Sequence, residues 1–343
     1  MLLHRRLVQG GILVASHLML AIILLLYMDV LPLKPKAMTR SLDPRCAETT
    51  TVSSSNIGKN RSLPQSNVTS TTQLSHSYTT PMPPPHSNAI EIPDIGVLKN
   101  MSLVDLIRLY QSYIVAPQVT CNAVTRMGRL LDGGWELCED PQYKPPKDDC
   151  LVYSYGIDND FSFDDDMASY GCEVHSFDPT METHGDFVRG MQVYFHMRGI
   201  GGSNRHMKIQ KNNRIIRAKV DTIATHRRMY QHESERRRLD VVKIDVEGYE
   251  FEALMTSLDD GSLADTRQLN FETHLMLARQ EPYRRDYIKY LILLKKVYDS
   301  GFRIYTTHRN YVHSRFFSSA DRKYHAFCHE VHTVNILNRN TNT

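Results

Sequence analysis

Four residues of strand type, Val241-Val242-Lys243-Ile244, run straight into Asp245-Val246-Glu247-Gly248-Tyr249-Glu250, gathering three carboxylates around a glycine. A buried strand does not end in such a cluster for packing reasons, because each carboxylate costs free energy to desolvate. Glu250 is explained as an acidic residue in the first turn of a helix; Asp245 is not. Short apolar runs of the same kind recur at Leu151–Tyr155, Val174–Phe177, Val193–His196 and Gln268–Glu272, with stretches of helical length between them, Phe161–Tyr170 and Phe251–Leu258 among these. Strands alternating with helical crossovers build parallel βαβ units, so the expected fold is α/β with a doubly wound sheet. A helix over 282–300, with a proline in its first turn and a stop at Gly301, precedes two more β-like runs, Phe302–Thr306 and His329–Leu337. These predict an antiparallel hairpin at the C-terminal end of the sheet. Ahead of the sheet, Ser102 is placed to cap a helix whose Leu103, Leu106, Ile107 and Tyr110 share one face, with Pro117 ending it.

Ligands of open α/β sheets bind beyond the carboxyl ends of the strands. At the first strand end, Val152-Tyr153-Ser154-Tyr155-Gly156, a glycine stands where the chain turns toward a helix, and a residue without a side chain lets a ligand approach closely. At the second, Val174-His175-Ser176-Phe177-Asp178-Pro179, an acidic residue follows the glycine by about 20 residues, the spacing that lets a carboxylate accept from both ribose hydroxyls. The alternative for Asp178 is a turn-capping role, since Asp-Pro favours turns. The third strand end is the Asp245 cluster.

The string Lys243-Ile244-Asp245-Val246-Glu247-Gly248-Tyr249-Glu250 resembles the signature of FkbM-type methyltransferases. Together with Cys-Leu-Val-Tyr-Ser-Tyr-Gly at 150–156, Gly-Cys-Glu-Val-His-Ser-Phe-Asp-Pro at 171–179 and Phe-Glu-Thr-His at 271–274, it is similar to the methyltransferase-like protein 24 family of animal membrane proteins. The resemblance runs over about residues 117–337. It implies a class I methyltransferase fold, a Rossmann-like doubly wound sheet, with S-adenosyl-L-methionine as methyl donor. It also implies that Gly156, Asp158 and Asp245 lie by the cofactor, that Asp178 holds the ribose, and that Asp245 and Glu247 face the methyl-transfer centre. Ser154 stands where an acidic residue is common in methyltransferases, and Asp158 and Asp160 replace later glycines. Methyl transfer is an in-line displacement that depends mainly on positioning, and a hydroxyl acceptor also needs a base for its proton. Asp245, Glu247 and His274 are the candidates for that base.

A net charge of +3 with 23% charged residues does not describe a nucleic-acid binder. The one basic run, His226 to Arg238, reads either as a solvated helix face or as a site for an anionic acceptor such as a sulfated glycan. No C-x-x-C pair occurs, so no metal site is expected. Cys121 and Cys138 flank a glycine-rich turn and are either disulfide partners or buried thiols.

The N-terminal part is of another kind. Residues 1–6 end in Arg5 and Arg6, and 7–28 form an uncharged apolar segment long enough to cross a bilayer as a signal-anchor helix. Residues 29–99, rich in Ser, Thr, Pro and Asn, read as a disordered stalk leading to a methyltransferase domain over 100–340. N-x-S/T triplets at Asn60, Asn67 and Asn100 follow the span and mark glycosylation acceptors. The expected arrangement is a single-pass type II membrane protein of the Golgi or endoplasmic reticulum. Its luminal domain would act on a glycan or small-molecule acceptor. Two alternatives remain at this level. One is a Golgi glycosyltransferase using Asp158-Asn159-Asp160 or Asp164-Asp165-Asp166 as an Asp-x-Asp metal motif; the other is an inactive methyltransferase-fold binding module.

Overall fold

The computed structural model describes residues 90–338 apart from 131, 184, 212–213, 234–236, 276–279 and 310–313. The apolar segment 7–28, the sequons at Asn60 and Asn67 and most of the expected stalk lie outside the described residues. Among the described residues no helix is long and apolar enough to cross a membrane. Packing begins earlier than the expected boundary at 100. Ile92 and Leu98, the latter in a single helical turn over Ile95–Leu98, are buried in the main core.

Eight strands form the central sheet: β1 (Cys150–Tyr155), β2 (Cys172–Phe177), β3 (Phe187–Arg189), β4 (Val193–His196), β5 (Val241–Ile244), β6 (Gln268–His274), β7 (Phe302–Arg309) and β8 (Cys328–Asn335). Their order is β7-β8-β6-β5-β1-β2-β4-β3. Strands β4, β2, β1, β5 and β6 are mutually parallel. Strand β8 runs against both its neighbours, β6 and β7. The chain thus builds outward from β1 through β2 to β4, then returns to lay β5 on the other side of β1. The result is a mixed α/β sheet consistent with a methyltransferase fold.

Alternating side chains send Leu151, Tyr153 and Tyr155 of β1 to one face and Cys150 and Val152 to the other. The first face carries α1 (Leu103–Tyr113), α4 (Glu250–Asp259) and α5 (Arg284–Asp299), whose Leu106, Leu254 and Leu291 are fully buried. On the second face lie α2 (Ser162–Tyr170) and a hairpin pairing Val124–Met127 with Trp135–Cys138. A short helix, α3 (Ile223–Met229), follows a small three-stranded sheet in which Arg214–Asp221 lies between Gly199–Ile200 and Arg205–Lys211. Ser102 caps α1, accepting from the Asp105 amide at 3.1 Å.

The C-terminal elements differ from the sequence reading. Helix α5 starts at Arg284, because the Tyr283 amide donates to the Asp286 carboxylate at 2.8 Å and fixes the first turn there. Pro282 therefore lies before the cap. The C-terminal antiparallel pair is interrupted by a separate small hairpin, Arg315–Ser318 with Lys323–Ala326, and β8 inserts between β6 and β7. Strand β6 continues to His274, and two of the polar side chains on one of its faces bind the hairpin on that side. Gln268 Nε2 donates to the Cys138 carbonyl at 2.7 Å, and Asn270 Nδ2 to the Glu136 carbonyl at 3.0 Å.

Under α3, rings of Tyr153, Tyr155, Phe177 and Tyr230 stack with four histidines, His175, His196, His226 and His232. Burial pushes His226 down to about 3 and His196 down to about 4, and likewise holds His329 of β8 at about 3. An unfolded chain takes up protons on these residues below about pH 6.5, and the folded chain excludes them. Stability from these groups is therefore complete above pH 6.5 and is lost as pH falls toward 4, with a slope of about 1.4 kcal/mol per pH unit for each histidine. Thermal melting between pH 7.5 and 4 is expected to show a steep acid-side fall, whereas a flat profile would mean that the folded protein carries these protons.

Cys121 and Cys138 are disulfide-bonded, and a second disulfide, not anticipated from spacing, joins Cys150 to Cys172. The latter two are register partners that open β1 and β2; Cys328 is buried and belongs to neither disulfide. The second disulfide closes 22 residues of chain around α2. Replacing Cys150 and Cys172 together with serine is expected to cost about 3 kcal/mol in denaturant unfolding.

Candidate active site

The strand order reverses between β1 and β5, and the crevice outside their carboxyl ends is the ligand position of such sheets. Gly156, just past β1, has φ 80°, and a Cβ there would lie 1.6 Å from the carbonyl oxygen of Asp245, just past β5. The glycine is thus demanded by the contact between two strand ends, a reason apart from the ligand approach inferred from sequence. Lys243, buried in β5, extends its Nζ to the carbonyls of Tyr155 (3.3 Å) and Gly156 and lies 5.5 Å from the centre of the Trp135 ring.

At the ends of β5 and β6 four carboxylates surround one imidazole. His274 Nδ1 is 2.9 Å from Glu250 Oε1, and its Nε2 lies 3.4 Å from Glu272, 3.5 Å from Glu247 and 3.9 Å from Asp245. Glu250, the first residue of α4, is completely buried and also accepts from the amides of Val246 (3.0 Å) and Gly248 (3.1 Å). Burial opposes its charge, but the neighbouring His274 and the backbone amides of Gly248 and Glu250 outweigh it and hold the carboxyl below the ordinary range. Glu250 therefore ties the loop after β5 to His274. Asp245 and Glu247 are partly open, with side chains 28% and 34% exposed, while the His274 ring is fully enclosed behind them. Ligand atoms of Asp245, Glu247 and His274 lie within 4.8 Å of one another, a grouping that can hold a cation although no metal was expected from sequence. Glu250, Glu272 and Lys243 were missed as site residues. Their signal was the sequence itself: charged residues in segments otherwise composed for burial.

Asp178 is buried at the end of β2 and its carboxylate is filled by protein donors. Oδ2 accepts from the amides of Ile157 and Asp158, both at 3.0 Å, and Oδ1 from the amide and hydroxyl of Thr180, both at 2.7 Å. The turn-capping alternative describes these contacts, and a ribose held here must exchange with one of them. Asp158, at φ 42°, is exposed and paired with Lys211. Next to these residues opens a cleft of about 470 Å³, lined by Asn159, Pro179, Thr180, Met181, Met197 and Ile216 among others. That volume suits a small-molecule cofactor.

The Asp-x-Asp triplets do not converge on a point. Asp164 binds the Ser176 hydroxyl, Asp165 pairs with Arg189, Asp166 accepts from the Gly128 amide at 2.7 Å, and Asp160 pairs with Arg129 at 3.1 Å. The basic run is solvated at Arg228, which is exposed and pairs with Glu233 at 3.5 Å, and turned inward at other described positions. Helix α3 ends at Met229, Arg227 is buried in a bidentate pair with Asp265 (2.6 and 2.7 Å), and Arg237 binds Glu173. Asn100 is exposed in the turn before α1, with Nδ2 donating to the Gly96 carbonyl at 2.9 Å.

A family model described as "Methyltransferase domain" matches residues 99–320, and the chain belongs to this methyltransferase-domain family. It is similar to "Probable methyltransferase-like protein 24" of Homo sapiens, 24% identical over 241 residues, covering 65% of this chain and 63% of that protein. The Rattus norvegicus protein of the same description is 24% identical over 244 residues, covering 66% and 64%. The chain thus spans a little under two thirds of the length of these relatives. No solved structure matches.

The joint between the strand ends is testable by Gly156→Ala. A side chain there must displace the Asp245 carbonyl from a left-handed backbone, so the variant is expected to lose at least about 2 kcal/mol by urea unfolding; wild-type stability would show that the contact yields freely.

Proposed function

We propose that this chain is a class I methyltransferase that uses S-adenosyl-L-methionine and methylates a hydroxyl group on a glycan or small-molecule acceptor. The observation that carries the reading is the position of Asp245 and Glu247. They are partly open, stand at the reversal of strand order and are backed by buried His274, in a chain of the methyltransferase-domain family.

The cleft beside the ends of β1 and β2 suits the nucleoside half of the donor, with Met181, Met197 and Ile216 offering apolar surface and Asn159 and Thr180 polar groups. Asp158 and Asp178 directly precede its lining residues Asn159 and Pro179, with Asp178 acting on the ribose only by giving up a loop contact. The donor supplies an electrophilic methyl group on a sulfonium. The protein's own task is to align the acceptor and remove its proton. Asp245 and Glu247 meet the acceptor and take that proton, while His274, enclosed and bound to Glu250, acts through them by fixing their orientation and charge.

Two disulfides favour an oxidising compartment. With the apolar segment 7–28 and the sequons at Asn60, Asn67 and Asn100, they support a type II protein anchored in the Golgi or endoplasmic reticulum, its domain luminal. Binding without turnover is a second reading, favoured by the saturation of Asp178. Engagement of the acidic triplets elsewhere weighs against the glycosyltransferase.

Calorimetric titration of the full chain with S-adenosylhomocysteine is expected to show micromolar binding that Asp178→Ala weakens and Asp245→Asn leaves in place. Asp245→Asn should lower methyl transfer from labelled donor by at least about a hundredfold. A folded chain that does not bind the nucleoside sinks the methyltransferase reading; binding without transfer to any hydroxyl acceptor selects the binding module.

A further inference from the structure

The amino end of β2, opposite the end that carries Asp178, gathers a second set of polar side chains that the proposed reaction does not use. His175 Nε2 lies 2.9 Å from Glu173 Oε1, and His232 Nε2, from the segment after α3, lies 3.3 Å from the same oxygen. Both imidazoles are more than nine-tenths buried, and the ligand atoms of all three residues fall within 4.8 Å of one another. The His232 backbone is held in both directions by Arg227, its amide donating to the Arg227 carbonyl at 2.7 Å and its carbonyl accepting from Arg227 Nε at 3.0 Å.

We propose that Glu173, His175 and His232 form a binding site for one divalent cation of the zinc class, with the coordination completed by solvent on the open side of Glu173. Zinc holds imidazole nitrogen and carboxylate oxygen at about 2.0–2.2 Å, which separates tetrahedral ligands by about 3.3–3.4 Å. The His232–Glu173 distance of 3.3 Å already matches, and the His175–Glu173 distance of 2.9 Å has to open by a few tenths of an ångström.

The hydrogen-bond chain behind the cluster gives the independent argument. His175 Nδ1 is 2.9 Å from His196 Nε2, His196 Nδ1 is 3.2 Å from Asp186, and His232 Nδ1 is 2.8 Å from the Tyr153 hydroxyl. With neutral histidines and no cation, these contacts conflict. If His175 donates from Nε2 to Glu173, its Nδ1 must accept from His196 Nε2–H, and His196 then turns a lone pair toward the Asp186 carboxylate. If His175 instead donates from Nδ1, its bare Nε2 faces Glu173. Either way one nitrogen lone pair meets a carboxylate. A cation on the Nε2 atoms removes the conflict. His175 Nδ1–H then donates to His196 Nε2, His196 Nδ1–H donates to Asp186, and His232 Nδ1–H donates to the Tyr153 oxygen. Metal-bound histidines are oriented by acceptors of this sort on their second nitrogen. The competing solution, an extra proton on the chain, puts a charge on an imidazole whose side chain is more than nine-tenths buried. The positive neighbour, Arg237, occupies the other oxygen of Glu173, leaving Oε1 to the site.

The test uses the full chain, purified without chelator, with zinc counted by elemental mass spectrometry. The chelator-stripped chain is then titrated with zinc chloride at pH 7, with magnesium chloride for comparison. The expected result is about one zinc per chain, little response to magnesium, and affinity lowered more than about tenfold in both His232→Asn and Glu173→Gln. Asp245→Asn should bind as the parent does, and circular dichroism is used to verify that each variant is folded. A folded parent that takes up no zinc overturns the proposal, as does zinc uptake unchanged by both His232→Asn and Glu173→Gln or abolished by Asp245→Asn.

Discussion

The carbonyl oxygen of Asp245 occupies the space where a side chain on residue 156 would have to stand, and Lys243 reaches from β5 to the last carbonyls of β1. These contacts close the seam where the chain, having built one half of the sheet, comes back to start the other. A buried ammonium bonded to backbone oxygens is costly to remove, because it leaves acceptors that water cannot reach. The seam fixes how far the β5 loop stands from the β1 loop. That spacing decides whether a ligand at the β1 and β2 ends can meet groups carried by β5 and β6.

Around the seam the charged groups are sorted by depth. Glu250 and the His274 ring are sealed beneath the loop they organise, while Asp245 and Glu247 keep about a third of their side-chain surface open. A reacting acceptor meets only the outer pair. The inner groups set the loop shape and the local field, which in a low-dielectric setting exceed in effect anything the same residues do in water. A similar layering recurs beneath α3. There, buried histidines and tyrosines exchange hydrogen bonds in a chain, and the number of protons it holds is as much a structural variable as any distance.

Much of the sheet was legible because strand and helix periods differ. Val193–His196 and Val241–Ile244 appear with the boundaries read from sequence, and helices over 162–170 and 250–259 agree to within a residue or two. Three features stayed hidden for reasons of partner choice. The partners of the polar Gln268 and Asn270 in β6 stayed hidden because they belong to a hairpin more than 120 residues earlier. Cys150 and Cys172 gave no spacing signal because what brings them together is strand register, which depends on the whole sheet. Arginines of the basic run turned inward because Asp265 and Glu173 are delivered to them by other elements.

By itself the sequence determined the alternation of strands and helices, the stop signals between them, and the collection of carboxylates at the end of one buried strand, since each follows from local periodicity and desolvation cost. Only the tertiary structure decided which of those carboxylates lies open and which is sealed, that Asp178 spends its oxygens on its own loops, and that Glu173 meets two histidines. Depth and partnership come from chain segments distant in sequence, and no local pattern encodes the distance between them.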